Sequence, residues 1–542
     1  VSLSLSRTCT RRATACCICW DVHGPRDLRL PVNHRELVCI FASVSPEHLE
    51  SLCLYEELTV TADVYFDGQP LHLDPGPQLL LDDHLVEDRW ALERVLHKPE
   101  KFPRNPVLVR DKPWEGDVAY RPCVIADGGR YRMWYQCFSF TNYHGAGGPP
   151  YYLGYAESDD GYQWHKPKLD VCPGYEGSNI IYTGTHYARL QGVQVWRDDV
   201  DTAPRRYKMI CVERSPSVDG VLASGVHMCI SADGLQWSLD GAPLLDYHSD
   251  CHNHVVRDAA RDRWLLYCRP IVMSAVGRRY PRFQEGGRHT RRRVSVATSP
   301  DLRTWSYPRT TLLPDEVEPN DIDSCSVFRW NSHFLMLYAS MEGDETGTNE
   351  GRLASSADGL RWHRFHSGDS FLPRGATGQW DGGQVIPADG PLRQGDQMLF
   401  YYSGFSQPQY DPSRMGGVGL ATLRADQFVE QRGGDRPGYL LTREFVCEGS
   451  QLQLNTIMRG MPYHEQAIRV EIARRPEVLG HAGHVQAVSG FALEDCDPLR
   501  GTRTDVPVSW QGNGDLSSLL GQSIYLRFEI RNMGLFAFEV IS

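Results

Sequence analysis

The chain has 542 residues, 41% hydrophobic and 23% charged, with a net charge of −12. This length suits two or three domains, the acidity argues against nucleic acid or an anionic membrane surface as main partner, and no apolar run reaches the roughly 18 residues of a membrane span. Fifty glycines and 34 prolines, with few long apolar patterns of helical period, predict an all-β, soluble chain whose compartment and oligomeric state stay undetermined.

Residues 1–75 read as an irregular extension. Arg7, Arg11 and Arg12 lack the apolar stretch and small-residue cleavage site of a signal peptide. Cys9, Cys16, Cys17, Cys19, Cys39 and Cys53 crowd this segment without a second C-x-x-C pair at zinc spacing. Downstream, Cys211, Cys229 and Cys268 fall inside strand patterns and read as small buried hydrophobes.

Residues 76–430 carry a repeat. Four strands run into S-x-D-x-x-x-W turns: Ser158 to Trp164, Ser231 to Trp237, Ser299 to Trp305 and Ser356 to Trp362. A fifth strand, Gly417 to Leu423, lacks the turn. Ahead of each lie two further strands, the first being Arg121–Ile125, Gly192–Trp196, Asn253–Arg257, Cys325–Phe328 or Gly383–Ile386. Five multi-strand units of this length predict a five-bladed β-propeller. Turn aspartates bond nearby backbone N–H groups, so they read as scaffold that staples the outer edges of the blades. Gln78–Asp82 reads as the strand that closes the ring. Residues 431–542 show alternating strands and predict a β-sandwich.

The start of each first strand faces one end of the central channel. There the chain places Trp114, Glu115, Asp117 and Arg121; His186 and Arg189; Asp250, His252 and His254; Glu318, Asp321 and Asp323; and Trp380 with Asp381. Carboxylates recur in four of five units. Like charges brought together raise some pKa values, which is what an acid beside a base needs. Asp250, His252 and His254 alternate, which also suits a metal site. A calcium or other cation in the channel is the further alternative, and otherwise no cofactor is expected. The loops 145–150 and 277–293 are long enough to be functional, and Arg288, Arg291, Arg292 and Arg293 suit an acidic sugar or a solvated face.

On the repeat number, the turns and the trailing strands, residues 76–542 resemble the five-bladed β-propeller glycoside hydrolases, the invertase/levanase-like and arabinanase/xylosidase-like enzymes. The resemblance implies cleavage of an oligo- or polysaccharide by carboxylates at the start of the first three blades. Asp117 matches the first position, the second blade has no match, and Asp250 stands where the family has its acid, usually Glu. The implied catalytic set is Asp117, Asp250, Asp321 and Asp323, with Trp114, Glu115, Arg121, His186, Arg189, His252, His254, Glu318, Trp380 and Asp381 around the sugar. A sialidase-like enzyme, with six blades and three arginines on the substrate carboxylate, and a non-catalytic carbohydrate-binding propeller are the alternatives.

Overall fold

Serine and aspartate build the repeated turns through one set of hydrogen bonds. Each Ser Oγ donates to the Asp two residues on, whose Oδ1 accepts the next two backbone N–H groups but one, as at Ser158–Asp160 with Tyr162 and Gln163. The pattern recurs at Asp233, Asp301 and Asp358. The residue after Asp needs positive φ, which Gly161, Gly234 and Gly359 supply without strain and Leu302 adopts at 63°.

The computed structural model describes residues 69–143, 147–185, 190, 192–216, 222–250, 252–271, 292–343, 346–365, 369–409, 411–461, 463–475 and 484–542. These form antiparallel sheets with almost no helix. Sheet 1 comprises Val118–Asp127, Arg130–Phe138, Tyr151–Ser158 and Ile180–Tyr182; sheet 2 comprises Gln194–Arg197, Tyr207–Pro216, Leu222–Ser231 and Ser238–Leu239. Sheet 3 holds His254–Asp258, Arg263–Cys268, Val294–Ser299 and Arg309–Leu312; sheet 4 holds Asp321–Trp330, His333–Met341, Asn349–Ser356 and His363–Arg364. In sheet 5, Gln384–Pro387, Gln397–Phe405 and Gly416–Arg424 are completed from far upstream by Glu100–Lys101 and Leu108–Val109, and a single parallel pairing of Asn349 with Gln384 makes sheets 4 and 5 two halves of one ten-stranded sheet. The apolar runs read from sequence are the cores of these strands.

Each turn docks on the sheet before its own. Gly161 O accepts from Tyr401 of sheet 5, Gly234 O from Trp134 of sheet 1 and Gly359 O from Tyr267 of sheet 3. Leu302 packs among Ile210, Val226 and Met228 of sheet 2. The fifth unit, which has no sequence turn, uses Asp426 to accept from Trp330 of sheet 4 at 2.7 Å. The staple is therefore between neighbouring sheets rather than along one sheet's own edge. A cavity of about 280 Å³ is lined by strands of sheets 1 to 4, with Ile125, Val195, Val255 and Val327 among them, and by Asp389, Gly390 and Pro391, which follow Gln384–Pro387 of sheet 5.

Two six-stranded sheets follow. One orders Leu92–Leu96, Val429–Gly433, Met533–Ile541, Gln451–Met458 and Arg503–Pro507; the other orders Val86–Trp90, Gly438–Thr442, Ser523–Arg531, Ala467–Arg474 and Gln486–Ala487. They share one apolar cluster, with Leu454, Leu535 and Phe538 from the first and Val470, Leu526 and Phe528 from the second. The expected closing strand is corrected here: Gln78–Leu79 pairs with Met533–Ile541, and Glu100–Lys101 and Leu108–Val109 take its place on sheet 5. Gln78 and Leu79 are fully buried against that last strand, whose Phe538 and Ala537 they face.

Cys211, Cys229 and Cys268 are buried free thiols, as their strand positions predict. The cysteines of residues 1–68 lie outside the described residues.

Asp358→Ala removes the acceptor of two backbone N–H groups and the Ser356 hydroxyl. It is expected to cost about 1–2 kcal/mol in urea unfolding with m unchanged. His227 is buried with neither ring nitrogen bonded, and burial pulls its pKa from 6.5 to about 4. The unfolded chain therefore binds a proton between those values that the folded chain refuses, so stability falls as pH drops through about 6.5. His227→Phe is expected to shrink the loss of Tm between pH 7 and pH 5, read by calorimetry.

Candidate active site

Two β-bulges aim the central residues. In sheet 1 the register slips between Tyr120 and Cys123, where Pro122 removes a ladder donor and Arg121 takes φ 48°. In sheet 4 it slips between Ile322 and Ser324, on either side of Asp323. Both lie near the starts of the first strands. The Arg121 N–H donates to Ser403 Oγ of sheet 5 at 2.7 Å, while its guanidinium Nη2 lies 3.6 Å from Asp323 Oδ2.

Asp323 is the centre of a cationic cluster. Besides Arg121, Arg292 Nε stands 3.3 Å from its Oδ1 and Arg269 Nη2 3.7 Å. Burial favours its protonated form, but Arg292, Arg121, Arg269 and Arg414 outweigh that and hold its pKa below the ordinary 3.8. The carboxylate is therefore ionised at neutral pH. Arg269 also lies 3.6 Å from Asp250 Oδ2 through the same Nη2 atom. The two carboxylate oxygens are thus no further apart than the sum of the 3.6 and 3.7 Å legs, about 7.3 Å. Their environments differ: the Asp250 side chain is 43% exposed and that of Asp323 is 3%.

Neighbouring groups complete the cluster. Asp321 is buried, accepts from the Arg292 N–H at 2.9 Å and lies 3.6 Å from Arg293 Nη1. His252 is buried; desolvation, then the charges of Arg121, His254 and Arg269, push its pKa well below 6.5, so it is neutral. Arg414 lies over the rings of Phe405 and Phe140.

The other sequence-derived residues have separate surroundings. Asp117 is exposed at the start of sheet 1 and accepts from the Phe140 N–H at 2.7 Å. Glu115 is fully buried, bonded by Tyr135 and by Lys166 at 2.6 Å, and Trp114 donates to Asn179 at 2.7 Å beside it. Glu318 accepts from Tyr338 and lies 3.2 Å from Arg364 Nε. Asp381 takes Lys101 at 2.6 Å and the Tyr402 hydroxyl at 3.1 Å, and Trp380 stacks on Tyr402 at 5.8 Å. His254 meets Asp389 at 3.1 Å. Among the described residues no group of three or more His, Cys, Asp or Glu is arranged to hold a metal. His186, Arg189, Arg288, Arg291 and most of the two long loops lie outside the described residues.

Two members of the cluster, and one buried carboxylate outside it, were not read from sequence. Arg269 follows the second strand of sheet 3, Arg414 precedes the third strand of sheet 5, and Glu213 lies in the later half of Tyr207–Pro216, the second strand of sheet 2, whose first strand has no carboxylate. Glu213 is buried and accepts the Tyr182 hydroxyl at 2.9 Å. In an antiparallel sheet the end of the second strand meets the start of the first. Reading those ends as well would have found Arg269 and Glu213.

No family model and no curated protein matches the chain. Solved structures do. A glycosyl hydrolase from Bacteroides ovatus shares 13% identity, over 61% of this chain and 95% of its own, with a TM-score of 0.43. An N-acetylgalactosamine deacetylase from F. plautii shares 17%, over 62% and 97%, at 0.42. A β-1,2-mannobiose phosphorylase from Listeria innocua shares 12%, over 61% and 98%, at 0.42. Among the described residues no helix is long and apolar enough to cross a membrane.

A Cβ at Gly343 would overlap Asp321 Oδ2. Gly343→Ala is expected to displace that carboxylate and cost about 1–3 kcal/mol in thermal or urea unfolding.

Proposed function

We propose that sheets 1 to 5 are the blades of a five-bladed β-propeller, that the two six-stranded sheets form a β-sandwich, and that the chain is a glycoside hydrolase acting at the Asp323 end of the channel. The ring is supported by the turn contacts, which run from each sheet to the one before it and from sheet 1 back to sheet 5. Residues 76–430 and 431–542 then describe the two parts, with strands from 78–96 added to the second.

The observation that carries the activity is the pair of carboxylates on one Arg269 nitrogen, one solvent-reaching and one buried. Cleaving a glycosidic bond takes a proton donor at the leaving oxygen and an opposed carboxylate, at separations from about 5 to 9.5 Å. A limit of about 7.3 Å between these oxygens fits within that span. Asp250 reaches solvent and meets the leaving oxygen as proton donor. Asp323, held ionised by its arginines, opposes the positive charge that develops on the sugar and takes the proton from attacking water. Asp321, two residues before Asp323 on the same strand, adds a third carboxylate, and Asp117, exposed at the start of sheet 1 with its own surroundings, is the fourth of the proposed set.

The test is a panel of aryl glycosides and β-fructans. Asp250→Asn is expected to lower kcat on poor leaving groups about 10²–10⁴-fold and to spare activated leaving groups such as 2,4-dinitrophenolate. Asp323→Asn is expected to lose activity on both. Turnover of no glycoside in the panel by wild type, or unchanged turnover in both variants, would sink the hydrolase reading; unchanged turnover in Asp117→Asn removes Asp117 from the set.

A further inference from the structure

The cavity of about 280 Å³ holds a polar pair that the candidate active site does not use. It lies further along the same first strands: Arg121 precedes Ile125 on one, and Asp323 precedes Val327 and Phe328 on another. His254 and Asp389 both line it, with the ring Nε2 3.1 Å from the carboxylate Oδ1. A carboxylate only accepts, so Nε2 carries the hydrogen, and Nδ1 of the neutral ring is left as an acceptor. His254 is 3% exposed, and its Nδ1 is buried with no hydrogen-bond partner among the described residues. Cys123 stands beside the same carboxylate, and burial, then the charge of Asp389, keeps its thiol protonated.

The other polar side chains of the lining are engaged. Gln194 bonds both backbone groups of Val255, Trp330 donates to Asp426, and Arg329 bonds Asp74 and lies over the Phe334 ring. The remaining walls are apolar, with Ile125, Val195, Val256, Val327, Phe328 and Pro391 among them. A Cβ at Gly390 would overlap Phe328, so glycine lets that ring close directly onto the backbone.

One unmet acceptor within apolar walls sets the chemistry of an occupant. A sugar carries hydroxyl groups all round its ring, and most of them would be buried here without partners. A pure hydrocarbon suits the walls but leaves the buried Nδ1 unmet, which costs free energy. An aromatic ring with a single hydroxyl meets both demands. Its size also fits, since an apolar cavity of about 150 Å³ is enough to take benzene.

We infer that this cavity is a second binding site, for a single-ring phenol whose hydroxyl donates to His254 Nδ1. The site is separate from Asp323 and stands whether or not the chain is a hydrolase.

The full chain is titrated at pH 7 with phenol, with toluene as the counterpart of similar size that lacks the hydroxyl, and with tetramethylammonium. Phenol is expected to bind at least three-fold more tightly than toluene, and excess D-glucose is expected not to displace it. Val256→Trp fills the cavity from a half-buried position and is expected to weaken phenol binding at least ten-fold. His254→Phe removes the acceptor and is expected to weaken phenol at least three-fold more than toluene. If either variant loses its cooperative unfolding transition, the wild-type order of phenol over toluene is the deciding measurement. No binding of phenol, toluene binding as tightly as phenol, displacement by D-glucose, or unchanged phenol binding in folded Val256→Trp overturns the inference. Tighter binding of tetramethylammonium than of phenol also overturns it, and assigns the cavity to a cation held by Asp389.

Discussion

A strand at the inner margin of a sheet has a neighbour on one side only, so half of its backbone groups lack a ladder partner. Three of the first strands solve this with side chains from the sheet before. Cys123 Sγ lies 3.1 Å from both the N–H and the carbonyl of Val195. Gln194 does the same for Val255, accepting at 2.7 Å and donating at 2.9 Å. Arg269 donates to the carbonyls of Ile322, at 2.8 Å, and Asp323. Because an unmet buried backbone group costs about as much as a lost hydrogen bond, these contacts fix the spacing of successive sheets. Everything that converges around Asp323 depends on that spacing. Arg269 belongs to both systems: it caps a strand edge and joins two carboxylates.

The repeat was the legible part of the chain. Strand cores at Tyr131–Tyr135, Tyr207–Cys211 and Phe334–Tyr338 carry enough aromatic and β-branched residues to be recognised singly, and the S-x-D turns mark where each unit ends. The clasp on sheet 5 was not legible, because Glu100–Lys101 and Leu108–Val109 are two-residue strands with no alternating pattern. Gln78–Asp82 misled for the opposite reason. Its apolar run is strong, but it is buried by Met533–Ile541, and hydrophobicity does not name the partner.

At the candidate site the carboxylates were legible in advance, and the arginines around them came into view only with the fold. Asp250 and Asp323 stood out by register alone. Glu115 and Glu318 stood out equally, yet their partners, Lys166, Tyr135, Arg364 and Tyr338, come from other strands or loops and were invisible along the chain. The bulges were visible only in part, through Pro122. Asp323 sits at a bulge with no proline or glycine beside it to announce the slip.

The strands that complete sheet 5 come from residues 100–109 and meet a strand near residue 420, with Asn105 bonding Leu420 across 315 positions. Lys101 is also the cation that meets buried Asp381. During synthesis the early segment therefore waits, unpaired, while more than half of the chain is made. Sheets 1 to 4 can each form from local hairpins as they emerge, but the last joint closes only afterwards. A closure of such long range is entropically late and slow. Until it happens, Gly416–Arg424 is an open edge able to recruit the wrong strand, from another molecule as readily as from its own. The vulnerable stage for this protein is then the open chain just before the clasp engages, and crowding of nascent chains is the condition that would expose it.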